Sequence, residues 1–456
     1  MTFSFFFQHI WQTILNHRQE LIAVVGVLFV LHFLFKFLKR AYHMRINDKF
    51  IAKLKWKIYE IKFPRENLKT PKAMEQVFAA MHGYFTYGLT PWQKWIDGKV
   101  EVWTSFEIAA TKRGTRFFVR FEADNKNIVE AGFFSQYPDI ELTEVEDYTH
   151  EFPHDLPNDK YDLFASDLIF KGAHQSMPIK TYLTFESPVD EQRLDPISTL
   201  VEGFSNLKGE EAILIQLVIR PTGDAFNWYK HIREESEELI NKMSGRTPQH
   251  AGPGIMGHMM LFIKNLLLSP FQAPTWAGHG EEQKFPIFRV VAPHETDIMK
   301  AIGEKMAQTP FEAIVRFVTV DLKQNKGSVQ RLMSTIFGSF TQFNTKNLNA
   351  FGPGPGTMTF KHKVAYNRYL DLFFRGTRLE RRKKKMWHAY HERDMPTLDH
   401  WYHKFGHLKL ETCLLSPSEL ATIFHPPGLP VTSRQSLGYM SAKKVGPPPN
   451  LPILEE

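Results

Sequence analysis

The sequence is nearly without cysteine. Cys413 is the only one in 456 residues, which excludes an intrachain disulfide and any paired-thiol metal or redox motif. So little thiol fits a reducing cytosol, and Cys413 itself reads as a small buried hydrophobe. No G-x-x-x-x-G-K-[S/T] stretch occurs either. Without that glycine cradle and its lysine, nucleotide hydrolysis by the P-loop route is excluded. Acidic excess is also lacking, because 56 Lys and Arg outnumber 49 Asp and Glu for a formal charge of +7. What the chain has in quantity is apolar and aromatic: 43% hydrophobic residues, with 39 Phe. At roughly 100–200 residues per domain, it has room for two or three packed cores.

One apolar run stands out. Leu21 to Leu38 reads LIAVVGVLFVLHFLFKFL, about 27 Å as a helix at 1.5 Å per residue. That suffices for a bilayer core if Lys36 snorkels. The basic residues follow the run instead of preceding it, which predicts a retained anchor and not a cleaved signal. Only Arg18 precedes it, whereas Lys36, Lys39, Arg40, Arg45, Lys49, Lys53, Lys55 and Lys57 lie within or after it. The positive-inside rule then places the C-terminal body in the cytoplasm and the N-terminus outside, as a single-pass protein of the cytoplasmic (inner) membrane. Residues 1–20, rich in Phe and interrupted by Gln8, His9 and Gln12, read as an interfacial segment. Residues 39–52 form a basic juxtamembrane stretch.

The body reads as α+β. From Lys53, apolar and charged residues alternate as in a half-exposed strand. Thr70-Pro71 opens a helix with a capping hydroxyl and proline at its first position. Val100–Ile108 and Phe117–Phe121 alternate around a turn at Lys112-Arg113-Gly114, Asn125–Tyr137 is helical, and Ile140–Val145 closes the set. The order β-α-β-β-α-β over 53–150 predicts a ferredoxin-like (split βαβ) unit. A second α+β unit of the same kind is expected over 151–350, with a helical insert at about 223–308. Residues 351–424 read as a helical, basic region whose Ser416-Pro417-Ser418-Glu419 is a capping box. Residues 425–456 read as a Pro-rich connector.

Several motifs look chemical. His150-Glu151-Phe152-Pro153-His154 matches H-E-x-x-H, but that zinc site needs a helix, and Pro153 opposes one. Gly252–Gly257 matches G-x-G-x-x-G without the preceding strand that dinucleotide binding requires. Phe351–Thr357 is glycine-rich yet lacks a phosphate-binding lysine. His400, His403 and His407 would share one face of a helix and bind metal there, though the aromatic residues between them favour an apolar surface. No catalytic, cofactor or metal residue is therefore assigned. The strongest cluster is basic: Arg375, Arg378, Arg381, Arg382, Lys383, Lys384 and Lys385. It suits a solvated helix face, anionic lipid, the acidic surface of a partner, or DNA phosphate.

Five stretches carry a family resemblance: Thr70–Phe78, Phe133–Pro138, Pro178–Tyr182, Gln342–Asn349 and Leu415–Pro427. Together they resemble the membrane-anchored domain of unknown function that precedes a coupling-type ATPase in bacterial type IV secretion and conjugation-like systems. In that family a P-loop motor follows the proline-rich connector. The resemblance implies a non-enzymatic anchoring and assembly module whose partners are the cytoplasmic membrane and a separate P-loop ATPase, with DNA or a second copy of the chain as further partners. It carries over no catalytic residue. The alternative is a membrane-tethered nucleic-acid-binding protein using the 375–385 cluster.

Overall fold

The structure, a computed structural model, describes residues 18–64, 69–86, 88–172, 174–185, 195–245, 291–325, 327–359, 375–396 and 410–428. Residues 1–17 of the expected interfacial segment, the G-x-G-x-x-G stretch, the three histidines of 400–407 and most of the proline-rich connector lie outside these residues. Helix α1 (Arg18–Ile51) opens the described chain as one uninterrupted helix of 34 residues. It therefore continues through the stretch read from sequence as a separate juxtamembrane segment. Contacts group α1 with the described residues of 86–102 as one unit, and the described residues of Trp56–Phe85 with those from Trp103 onward as another.

Among the described residues no helix is long and apolar enough to cross a membrane. Described side chains begin at Gly26, five positions into the expected span. From there to Leu38 the apolar run is about 20 Å, short of the ~30 Å of a bilayer core. Within that part the apolar side chains find no core. Phe29, Val30, Phe35 and Phe37 are each more than 60% exposed.

The larger unit is built on one antiparallel sheet. Its strands are β1 (Trp56–Lys62), β2 (Thr104–Thr111), β3 (Gly114–Glu122), β4 (Glu141–Glu144), β5 (Tyr161–Phe170), β6 (Ala212–Pro221), β7 (Phe311–Leu322), β8 (Phe351–Pro353) and β9 (Cys413–Leu415). They lie in the order β4-β1-β3-β2-β6-β7-β5-β8, with β9 added to the end of β7. Helices α2 (Pro71–Met81) and α3 (Lys126–Gln136) connect the first four strands, and α4 (Ser198–Phe204) and α7 (Ser328–Phe340) connect β5–β6 and β7–β8. Between β6 and β7 stand α5 (Asn227–Ser244) and α6 (Pro293–Met306), the described ends of the helical insert.

Strand alternation sorts the side chains onto two faces. Phe106, Ile108, Phe117, Val119, Phe121, Ile213, Ile215, Val315 and Phe317 share one buried cluster with Val77, Phe78, Phe133, Phe204 and Ile336 from the connecting helices. Each helix presents its apolar stripe to this face because a sheet and an amphipathic helix bury their apolar surfaces only against each other. The opposite face carries Ile58, Ala109, Phe118, Leu163, Ala165, Leu214, Val318 and Val320. It is covered by Met386, Trp387 and Tyr390 of helix α8 (Arg375–His391).

Several boundaries differ from the sequence reading. The first strand begins at Trp56 instead of Lys53, and Val100 and Val102 precede β2. Thr70 sits at the N-cap of α2 without a side-chain cap bond; its carbonyl accepts from Ala73 instead. The glycine-rich Phe351–Pro353 is the edge strand β8, paired with Leu168–Phe170. The described residues of 351–424, expected as a helical region, add strands β8 and β9 to the sheet as well as two helices. The last of these, α9 (Pro417–Ile423), is buried at every position.

Candidate interaction face on the basic helix

Four strands place a polar side chain at one level of the α8-covered face. Glu107 of β2 pairs with Gln216 of β6, Gln216 with Arg316 of β7, and Arg316 with Asp167 of β5. All four have no solvent exposure. A buried charge is tolerated only when it is paired and hydrogen-bonded, and here each one is. Arg316 Nε donates to Asp167 Oδ1 at 2.8 Å, and Arg316 Nη1 donates to the Ala389 carbonyl of α8 at 2.6 Å. Gln216 Nε2 donates to the Tyr390 carbonyl at 3.0 Å. The row thus bonds to the backbone of α8.

Arg393 completes the arrangement just beyond the helix. Its Nε and Nη2 reach the two oxygens of Glu107 at 2.9 and 3.1 Å, and Nη2 also reaches Asp147 Oδ1 at 2.9 Å. Nη1 donates to Asp147 Oδ2 and, at 2.7 Å, to the His391 carbonyl. Tyr148, stacked on Phe118, donates its hydroxyl to Glu107 Oε2 at 2.7 Å. Arg393 holds φ +55°, the left-handed conformation that commonly ends helices and that glycine adopts most easily. The ion pairs offset that backbone cost.

Burial pushes Glu107 upward, but the Arg393 charge and the hydrogen bonds from Arg393, Ser105 and Tyr148 more than reverse it, leaving the carboxyl below its ordinary range. Asp147 behaves alike and is pulled down to about 2. In Asp167, burial outweighs Arg316 and the carboxyl is raised. Arg120 packs its guanidinium over the Trp56 ring at 4.0 Å, and burial together with the like charge of Arg393 lowers it to about 10. Three guanidinium groups face three carboxylates in this layer, so it is close to neutral overall. Apart from Asp147, which is partly exposed, its members are buried. Its chemistry is to fix α8.

Fixing α8 divides the basic cluster. Arg382 donates to the Met358 carbonyl and Lys383 pairs with Asp162; both are half-buried, as is Arg378. Arg381, Lys384, Lys385 and His388 are exposed, at the i, i+3, i+4, i+7 spacing of one helix face. The side chain of Arg375 lies outside the described residues. The cluster is therefore partly structural, and three of its cations face solvent.

The remaining motifs are resolved by their surroundings. His150 and Glu151 belong to a single 3-10 turn, Tyr148–Glu151, and Glu151 accepts from Arg116 at 2.7 Å. His391 sits between His150 and His154, at ring separations of 5.5 and 5.9 Å. Among the described residues no group of three His, Cys, Asp or Glu side chains is placed to hold a metal ion.

Sequence reasoning missed the buried row, although a signal existed. Gln216 interrupts Ala212–Pro221, apolar apart from it and Arg220 near its end, and Arg316 lies mid-strand in Phe311–Leu322 between apolar neighbours. A charge or amide inside a strand covered on both faces demands a partner on the neighbouring strand. No protein-family model matches the chain, and no curated protein matches it in sequence.

Proposed function

We propose that the chain is a non-enzymatic anchoring and assembly module for a transfer ATPase of the type IV secretion kind, held in the cytoplasmic membrane by α1. One observation carries the reading: α1 is a continuous helix whose apolar side chains from Val27 to Leu38 lie open. Lys36 lies near the end of that run, and Lys39, Arg40, Arg45 and Lys49 follow within the same helix. In water such a surface is a liability; in lipid it is an anchor with cytoplasmic charges behind it.

The body would then be two ferredoxin-like units fused edge to edge through β2 and β6. The orders β4-β1-β3-β2 and β8-β5-β7-β6 are the same permutation of a β-α-β-β-α-β chain. Partner contact belongs on the outer face of α8. The helix after Ser416, next to the proline-rich connector, is buried at every position and offers no such surface.

A reporter fused after Lys57 should be active only on the cytoplasmic side; activity outside would overturn the orientation. The full chain, solubilised in mild detergent, should hydrolyse no ATP and should co-purify with a separate P-loop ATPase of the same locus. Changing Arg381, Lys384 and Lys385 together to Glu should cut that recovery about tenfold or more, as expected when like charges face each other, with an unchanged unfolding midpoint. Undiminished recovery would remove α8 as the contact.

The nucleic-acid reading is favoured by the same three cations, and its readout differs. If they contact phosphate, changing them to Ala should lower the slope of log affinity against log salt by about 2–3. A wild-type chain that retains no DNA or RNA at low salt sinks that alternative.

A further inference from the structure

We infer that the turn Thr90–Lys99 is a second membrane contact, a preformed aromatic foot that inserts at the headgroup level beside α1. The inference rests on the membrane reading of α1 proposed above. Trp92 is 67% exposed and Ile96 is 52% exposed, four residues apart around one turn of π-helix (Gln93–Asp97). Exposed apolar residues are ordinary when scattered singly; these two are paired on a turn held rigid from within. Thr90 N donates to Gln93 Oε1 at 3.0 Å, Gln93 N returns a bond to Thr90 Oγ1 at 3.3 Å, and Lys99 N donates to the Gln93 carbonyl at 2.9 Å.

The turn is seated on α1 at a defined height. Tyr42 donates its hydroxyl to the Trp95 carbonyl at 2.9 Å, the Lys39 ammonium lies 4.4 Å over the Trp95 ring, and His43 meets that ring edge-on at 3.8 Å. Gly98, at φ +66°, comes so close that a Cβ there would stand 2.5 Å from the Ile46 carbonyl oxygen. The contact residues 39–46 begin one position past Leu38, the end of the apolar run. At 1.5 Å per residue, Lys39 to His43 lies about 1.5–7.5 Å beyond it. The polar interfacial layer on each side of a bilayer core is about 5–8 Å thick. Trp95, and the turn that carries Trp92 and Ile96, therefore falls within the layer where tryptophan is enriched. Lys39 lies over Trp95, and Lys94 and Lys99 belong to the turn itself, positive charge that selects anionic headgroups as the lipid met there.

The test uses the full chain reconstituted in phosphatidylcholine–phosphatidylglycerol vesicles. Cys413 is buried, with its thiol pushed up by burial to about 12, so it stays unlabelled in the folded protein. An environment-sensitive fluorophore is placed at Trp92→Cys or, separately, at Leu31→Cys in α1. The Trp92 site should be shielded from aqueous iodide and quenched several-fold by headgroup-proximal nitroxide lipid; the Leu31 site should be quenched by nitroxide deep in the acyl region. An iodide-accessible Trp92 probe beside a shielded Leu31 probe overturns the foot and leaves the anchor standing. Two accessible probes bring down both. As a label-free check, Trp92→Phe should remove part of the intrinsic fluorescence quenched by brominated lipid, and unchanged quenching counts against the proposal.

Discussion

Replacing Arg393 with alanine should lower the unfolding free energy by about 3–5 kcal/mol, the range for breaking a buried ion pair from one side. The loss comes less from attraction forfeited than from what stays behind. Glu107 has no exposed surface, and without Arg393 its carboxylate keeps only Ser105, Tyr148 and Gln216 as donors. Against a total of roughly 5–15 kcal/mol for a typical domain, that is a large fraction. Arg393→Gly would relax the positive φ but strand the same carboxylates, so it should recover about 1 kcal/mol at most. Pairing Arg393→Met with Glu107→Met removes both charges, and the double variant should be clearly more stable than the two single losses summed. Urea unfolding of the full chain in detergent reads all five variants, the two single Met changes included. A loss below about 1 kcal/mol for Arg393→Ala, typical of an exposed pair, would mean that the layer is supported by solvent.

The same layer sets an acid limit. Asp147 is held at about 2 in the folded protein, against about 3.9 for an unperturbed aspartate. A carboxyl depressed by folding stabilises fully above its unfolded value and loses that contribution as pH falls through the folded one. Stability should therefore decline between about pH 4 and pH 2, with Glu107 acting in the same direction. Asp167 acts oppositely, because its raised value makes its contribution fade as pH rises. Comparing wild type with Asp147→Asn cancels that term. The variant should be less stable at neutral pH and should show a shallower acid decline; parallel curves would refute the assignment.

Legibility in the sequence followed the number of solvent-facing surfaces. The first β-α-β-β-α-β order could be read because Leu54–Ile58 and Val100–Ile108 alternate and Pro71 and Gly114 punctuate them. The second set was harder to read: β6 is covered on both faces and nearly all apolar, which hides the period of two, and Glu312, Arg316 and Asp321 break β7 without a clean alternation. The basic stretch around residue 380 was visible, but its division into tied and free cations was not. That division depends on Met358 and Asp162, both distant in sequence. The buried row is a register property. Glu107, Gln216, Arg316 and Asp167 become neighbours only when four strands pair as they do.

Deleting residues 414–456 should leave no cooperatively folded body, whereas a chain ending at residue 428 retains every described element. The longer deletion removes most of β9, which pairs with Phe311–Ala313, and all of α9. Leu415, Leu420, Ala421, Ile423 and Phe424 belong to the main core, where Phe424 packs edge-on against Phe106 and Phe117 at 5.3 and 5.8 Å. Losing one such leucine costs about 2–5 kcal/mol and one such phenylalanine about 3–5, so losing the set exceeds the stability of a typical domain. Polar groups are stranded as well. Glu419 accepts from Ser416 N and Ile179 N at 2.9 Å each and pairs with the buried Lys305 at 3.1 Å. Burial already holds Lys305 below its ordinary range, and without Glu419 it would have to deprotonate or open the fold to water. Leu420→Asp is the single-residue version and should likewise abolish the urea transition by burying an unpaired charge. Limited proteolysis and urea unfolding of the two truncations decide the matter. A cooperative, wild-type midpoint for the chain ending at residue 413 would show that α9 is an appendage, and loss of ATPase recovery in that variant could then be read as a lost contact. With the fold gone, the same loss of recovery reports unfolding, and only the charge reversals on α8 address the proposed partner surface.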